Sequence, residues 1–67
     1  MDIGERIRKL RTEAGISQET LGDQVGLTQA SISRVETGKQ QLRLVTLDKV
    51  AAALNITTTS LMEIGDA

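Results

Sequence analysis

Apolar residues recur along most of this chain at intervals of three and four positions, which is the spacing of one face of an α-helix. In the first segment these residues are Ile3, Ile7, Leu10 and Ala14. We therefore predict a first helix over residues 2–13, with Asp2 as its N-cap and Gly15 as its C-terminal stop. Gly4 lowers the helix propensity by up to about 1 kcal/mol relative to alanine, so we expect the first turn to fray.

The apolar pattern of residues 17–36 changes phase at Gly26. Its apolar positions are Leu21, Val25, Leu27, Ile32 and Val35. One continuous helix would not bring them onto one face, whereas two short helices joined by a sharp turn would. Gly26 can take a positive φ and so end the first helix, and the hydroxyl groups of Ser17 and Thr28 can cap the two helix starts. The stretch is therefore a candidate helix–turn–helix, and Gly38 ends its second helix.

The rest of the pattern predicts two more helices. A fourth helix covers residues 44–54, and its apolar positions are Leu44, Leu47, Val50, Ala51 and Leu54. Asn55 is its stop, and Thr57 can cap a short fifth helix that runs to about Ile64. Threonines 57–59 favour a strand by propensity, but the segment is too short to pair with another one. The predicted fold class is all-α, with five helices in one compact domain over residues 1–67.

Length and composition limit how this chain can be stabilised and where it acts. It has 67 residues and neither cysteine nor histidine, so we expect no disulfide, metal or other cofactor. A chain of this size buries only about 60% of its unfolded surface, so helix packing or dimerisation must stabilise it. No apolar run approaches the ~18 residues of a membrane span, and the N-terminus is too charged for a signal peptide. We expect a cytoplasmic protein without a membrane partner.

The net charge of −1 hides a local excess of positive charge. Residues 28–43 carry three basic side chains against one acidic one, whereas residues 17–25 and 44–67 each carry a net charge of −2. The basic side chains are Arg34, Lys39 and Arg43, and the acidic one is Glu36. Because a polyanion docks where the local field is positive, the third helix and the segment after it are the favoured binding surface.

Four segments resemble, in this order and spacing, the lambda-repressor-like or Cro-type helix–turn–helix domains of phage repressors and bacterial regulators. They are IRKLR, GISQETL, VGLTQASISRVETGK and LDKVAAALNI. The resemblance covers nearly the full chain and implies a five-helix DNA-binding domain, with helices two and three as the helix–turn–helix. Gly22 departs from the alanine that the family usually has. A small residue is needed where the two helices cross, so the departure bears on stability more than on function.

The resemblance implies that the third helix enters the major groove of DNA, with four residues facing the bases. They are Gln29, Ala30, Ser33 and Arg34. The amide of Gln29 matches N6 and N7 of adenine, Arg34 can donate twice to O6 and N7 of guanine, and Ala30 can contact a thymine methyl group. On an isolated helix these side chains would be interpreted as a solvated face. Here base contact is favoured for three of them, and both interpretations stay open for Ser33.

A second set of residues is expected to contact DNA phosphates. These are Ser17, Gln18, Thr28, Lys39, Gln41 and Arg43. The N-terminus of the second helix has free N–H groups and a favourable dipole for an anion, and Gln18 matches a family position that clamps a phosphate. Such contacts fix the register of the protein on DNA but do not read its sequence.

Arg11 and Glu36 would ordinarily be assigned to the surface. In the family that the chain resembles, a matching pair forms a partly buried salt bridge between the first and third helices. The resemblance therefore implies a structural role for both residues. The carboxylate of Glu36 would then no longer offset the positive charge of Arg34.

These features predict a sequence-specific regulator of transcription, a repressor or operon controller, that binds double-stranded DNA. Nothing indicates an enzyme, since the chain lacks histidine, cysteine, tyrosine and a glycine-rich phosphate loop, and no small-molecule ligand is evident. A homodimer on a palindromic operator would provide affinity, with half-sites about 34 Å apart. The predicted dimer contact is Leu61, Met62 and Ile64, although these residues could instead cover the base of the core.

Two other functions stay open at this point. The helix–turn–helix could be the scaffold of a protein-interaction module, such as an antitoxin-like or anti-regulator domain, because the net charge is low and the surface carries no aromatic residue. The chain could also be the DNA-binding half of a longer regulator, although the pattern up to Gly65 is that of a complete domain.

Overall fold

The computed structural model describes residues 2–63, which form five α-helices. They are α1 (Ile3–Glu13), α2 (Gln18–Val25), α3 (Gln29–Glu36), α4 (Leu44–Ala53) and α5 (Thr58–Met62). The described residues contain no strand, so the all-α prediction is confirmed. The first four helices end within one residue of their predicted positions, whereas α5 is shorter than predicted and ends at Met62. Over residues 2–63, no helix is both long and apolar enough to cross a membrane.

Side-chain caps explain where four of the helices begin. The carboxylate of Asp2 accepts the backbone N–H of Glu5 at 2.9 Å, and Glu5 accepts the N–H of Asp2 in return at 3.2 Å. The hydroxyl groups of Ser17, Thr28 and Thr57 each accept the N–H three positions further along. These are the caps that the sequence predicts, and they fix the helix starts locally. The capping box also offsets part of the helix-propensity cost of Gly4.

The turn between α2 and α3 is closed by Gly26, which lies in the left-handed region at φ 79° as predicted. Gly22 allows the same turn to approach α2 closely. A Cβ atom at this position would lie 2.6 Å from the carbonyl oxygen of Leu27. Gly4 has the same role at another crossing, where a Cβ would overlap the carbonyl oxygen of Val35. The two glycines therefore set how near α1 and α2 come to the backbone of α3 and its preceding turn.

The core consists of ten buried apolar residues. All five helices contribute to it, and so does Leu54, the C-cap residue of α4. The ten residues are Ile7, Leu21, Val25, Ile32, Val35, Leu47, Val50, Ala51, Leu54 and Leu61. Leu61 is fully buried, with 0% of its surface exposed. Its assignment to a dimer contact is therefore wrong, because its side chain is already packed inside its own chain. The helical pattern also placed Leu44 on the buried face of α4, but 62% of its surface is exposed.

Candidate nucleic-acid interface

Helix α3 has one face in the core and the other in solvent. Ile32, Val35 and Glu36 are buried, and the caps at Thr28 and Gly26 fix the angle at which the helix leaves α2. Three of the four residues predicted to contact bases, Gln29, Ala30 and Arg34, are exposed, and the fourth, Ser33, is half-buried. The helix thus presents a polar surface with a single positive charge.

The guanidinium group of Arg34 is held by two neighbouring side chains. Its Nε donates to Oε1 of Gln40 at 3.0 Å, and its Nη2 donates to Oγ of Ser31 at 3.2 Å. Sequence reasoning named neither partner. Ser31 could have been found because it precedes Arg34 by one helical turn, but Gln40 is brought there by the path of the chain after α3.

The six residues predicted to contact phosphates lie at the starts of α2 and α3 and in the segment after α3. Ser17 and Thr28 cap α2 and α3, so their hydroxyl oxygens already accept backbone N–H groups at 3.0 Å. The other predicted contacts in the α3–α4 segment are all exposed, namely Lys39, Gln41 and Arg43. Arg43 is the N-cap residue of α4, and its exposed side chain makes no capping hydrogen bond.

Gln18 is half-buried, and its amide nitrogen donates to Oε1 of Glu36 at 3.1 Å. The amide is thus engaged inside the molecule. A phosphate at this helix end would meet the free backbone N–H groups of the first turn of α2 more readily than the side chain of Gln18.

Arg11 and Glu36 form a closely paired ion bridge between α1 and α3. Nε of Arg11 lies 2.6 Å from Oε2 of Glu36, and Nη2 lies 3.1 Å from Oε1. The Arg11 and Glu36 side chains are 11% and 1% exposed. Nη1 of Arg11 donates to the carbonyl oxygen of Ile16 at 2.8 Å, so the pair also holds the loop before α2. Together with Gln18 of α2, the pair joins α3 to both α1 and α2.

Three large apolar side chains of α4 and α5 are exposed. They are Leu44, Val45 and Met62, which are 62%, 60% and 48% exposed. Only Met62 belongs to the predicted dimer contact, since Leu61 is in the core and Ile64 lies outside the described residues. Sequence reasoning missed Val45, which stands out of phase with the buried positions of α4.

The chain is similar to known proteins over nearly all of its length. A family model described as helix-turn-helix matches residues 7–61. The restriction-modification controller protein C.AhdI from Aeromonas hydrophila is 41% identical, with a TM-score of 0.86 over 91% of this chain and 92% of the controller. The P22 c2 repressor, solved in complex with a synthetic operator, is 30% identical, with a TM-score of 0.86 over 94% of this chain and 96% of the repressor.

A longer protein also matches. The uncharacterized HTH-type transcriptional regulator YonR, derived from the SPbeta prophage of Bacillus subtilis (strain 168), is 37% identical over 61 residues. The match covers 91% of this chain but 56% of YonR. The chain therefore spans little more than half the length of that relative.

Proposed function

The chain belongs to the lambda-repressor-like family of helix–turn–helix domains, and from this premise we propose that it is a sequence-specific regulator of transcription that acts as a repressor or operon controller. The observation that carries the proposal is the two-sided character of α3. One face is packed in the core, and the other presents Gln29, Ala30 and Arg34 to solvent. The relatives come from bacteria, where DNA lies in the cytoplasm, so we place the protein in that compartment.

Helix α3 lies in the major groove in this proposal, and its exposed side chains read base edges. Arg34 donates to O6 and N7 of a guanine, Gln29 pairs with an adenine, and Ala30 contacts a thymine methyl group. Ser33 is half-buried, so it contributes less to base discrimination than the other three. A correct arginine–guanine pair contributes about 1 to 3 kcal/mol of discrimination against other base pairs.

The two helix starts of the helix–turn–helix and the segment after α3 position it on the DNA backbone. The first turns of α2 and α3, which begin after Ser17 and Thr28, offer N–H groups, and the α3–α4 segment offers the positive charges of Lys39 and Arg43. The ion pair with Arg11 neutralises the carboxylate of Glu36 inside the fold. The field at this surface is therefore more positive than the net charge of −1 indicates.

A homodimer on a two-fold operator supplies the affinity that one domain lacks. The contact is revised from the sequence-based prediction, because Leu61 is buried and Leu44 and Val45 join Met62 as exposed apolar residues. A second copy is the proposed occupant, since a two-fold operator requires two identical reading helices about 34 Å apart. Sedimentation of a monomer both free and on DNA would contradict this part of the proposal.

Salt dependence of duplex binding separates DNA binding from a protein-interaction module. We expect the logarithm of the affinity to fall linearly with the logarithm of the salt concentration, by about 0.9 for each phosphate contacted. Lys39→Ala should weaken binding to all sequences alike and reduce this slope by about 0.9. Fluorescence anisotropy of a labelled duplex, recorded at about 50 to 200 mM salt, measures both the affinity and its salt dependence.

Lys49→Ala is the matched control, because Lys49 is an exposed lysine of α4 next to Gln24 and outside the proposed interface. It should leave the slope unchanged. Absence of duplex binding at the lowest salt concentration would remove the regulator proposal and leave the protein-interaction module.

A further inference from the structure

We infer that Gln40 and Ser31 are positioning residues for base recognition: they hold the guanidinium group of Arg34 by one edge so that its opposite end faces the DNA. The inference rests on the proposed function, because it concerns how the proposed guanine-reading arginine is oriented. Neither residue needs to touch a base for this role. Both act through the hydrogen bonds they accept from Arg34.

The hydrogen-bond pattern of Arg34 leaves a defined set of donors free. A guanidinium group has five N–H bonds, one on Nε and two on each Nη. The single N–H of Nε donates to Gln40, and one of the two N–H bonds of Nη2 donates to Ser31. The N–H bonds that remain are both on Nη1 and one on Nη2. An adjacent pair of these matches the two acceptors of guanine, O6 and N7.

The two supports are themselves fixed by the fold. The backbone N–H of Ser31 donates to Oγ1 of Thr28 at 3.0 Å, and the two hydroxyl oxygens lie 3.1 Å apart. Gln40 follows the turn that ends α3. There the backbone N–H of Gly38, which lies at φ 78°, donates to the carbonyl oxygen of Val35 at 3.1 Å. The backbone N–H of Lys39 donates to the carbonyl oxygen of Arg34 at 2.8 Å. This paired arrangement is a Schellman motif, and it directs the chain back alongside α3.

The chemistry of Gln40 suits this role better than a carboxylate would. Its amide oxygen accepts a hydrogen bond from Arg34 without cancelling the positive charge, which stays available to DNA. A long, exposed arginine otherwise loses conformational freedom when it binds, and a side chain ordered in advance loses less. Orientation by Gln40 therefore favours one base pair over others at the position that Arg34 reads.

A double-mutant cycle on DNA tests the inference. The preferred duplex is first selected from a random pool. The base pair read by Arg34 is then the one whose replacement lowers the affinity of the wild-type protein but not that of Arg34→Ala. In the wild-type protein that replacement should lower the affinity roughly 5- to 150-fold. Gln40→Ala should reduce this ratio roughly 2- to 12-fold, the worth of one hydrogen bond, and leave discrimination at other positions intact. In the Arg34→Ala background, Gln40→Ala should have no further effect.

Two further variants separate orientation from other roles. Gln40→Glu keeps an acceptor for Nε, so it should retain the preference at that base pair while its added negative charge weakens binding to every duplex. Gln24→Ala, on the exposed side of α2, should change neither quantity. Ser31→Ala should act in the same direction as Gln40→Ala. Equal melting temperatures of the Gln40 variants and the wild type would show that the fold is intact.

Each remaining outcome overturns a defined part of the account. If Gln40→Ala weakens all duplexes equally, also without Arg34, Gln40 contacts a phosphate and does not orient the arginine. If Arg34→Ala loses the preference but Gln40→Ala keeps it in full, the orientation is wrong while the proposed function stands. If the wild-type protein selects no sequence, both the orientation and the proposed function are wrong.

Discussion

Glu36 accepts three hydrogen bonds inside the molecule, two from Arg11 and one from Gln18. Its carboxylate is surrounded by donors from α1 and α2 although it stands at the end of the helix proposed to read DNA. In the proposed function the residue therefore acts on DNA recognition indirectly. Its hydrogen bonds to Arg11 and Gln18 fix the angle of α3 against α1 and α2.

We predict that Glu36→Gln lowers stability far more than it changes base preference. The substitution leaves the guanidinium group of Arg11 without its counter-charge in a site where the Arg11 side chain is 11% exposed. Loss of one partner from such a buried pair costs about 3 to 5 kcal/mol, a large part of the stability of a small domain. Urea unfolding measures the loss.

The matched control is Glu13→Gln, which removes a carboxylate from the exposed end of α1. It should change the free energy of unfolding by less than about 0.5 kcal/mol. A Glu36→Gln variant that unfolds at the same urea concentration as the wild type would contradict the structural role of the pair.

Residue by residue, local chemistry was predictable and contacts across the chain were less so. The caps at Asp2, Ser17 and Thr28 follow from hydroxyl or carboxylate groups placed just before an apolar period. The pair of Arg11 and Glu36 was implied by resemblance to a family, since no spacing rule connects residues that distant. The partner of Arg34 at Gln40 depends on the turn after α3, whose path a sequence pattern does not specify.

At the scale of elements, the distance between α2 and the turn before α3 depends on Gly22. The sequence interpretation was that a small residue is needed there and that glycine meets this need. The structure is more restrictive, because a Cβ at this position would lie 2.6 Å from the Leu27 carbonyl oxygen and 3.3 Å from a Thr28 backbone carbon. These backbone atoms of the α2–α3 turn leave room for glycine alone without a shift.

Gly22→Ala should therefore destabilise the domain. Alanine ordinarily stabilises a helix interior by up to about 1 kcal/mol relative to glycine. Here the added methyl group must push the α2–α3 turn away, and overpacking of this kind costs about 1 to 3 kcal/mol. Thermal unfolding followed by circular dichroism gives the sign, with Gln24→Ala on the exposed side of α2 as the control. An equal or higher melting temperature for Gly22→Ala would show that the turn moves freely.

The errors at this scale concern the smallest and least periodic elements. Helix α5 has five residues, too few for a pattern to show which side faces the core. Leu61 was consequently assigned to a dimer contact, with coverage of the core as the alternative, and Leu44, at the first position of α4, was assigned to the buried face. Both assignments depend on how α4 and α5 lie against the other helices, which apolar spacing within one helix does not determine.

For the whole molecule, the described surface carries two features that the proposed function uses. One is the exposed polar face of α3 with the basic segment after it, and the other is the set of exposed apolar side chains Leu44, Val45 and Met62. In the proposed dimer on DNA, the exposed apolar side chains join two copies and each copy presents one α3 to the major groove. The fold class follows from the sequence, whereas the identity of the exposed apolar side chains required the structure.

The central claim is that the exposed face of α3 reads a specific DNA sequence. Selection of bound duplexes from a random pool at near-physiological salt tests it directly, with the wild-type protein and Arg34→Ala selected in parallel. We predict a palindromic consensus for the wild type, with half-sites about one helical turn apart, and loss of one guanine preference in each half-site for the variant. No enrichment over bulk DNA for the wild-type protein would contradict the claim.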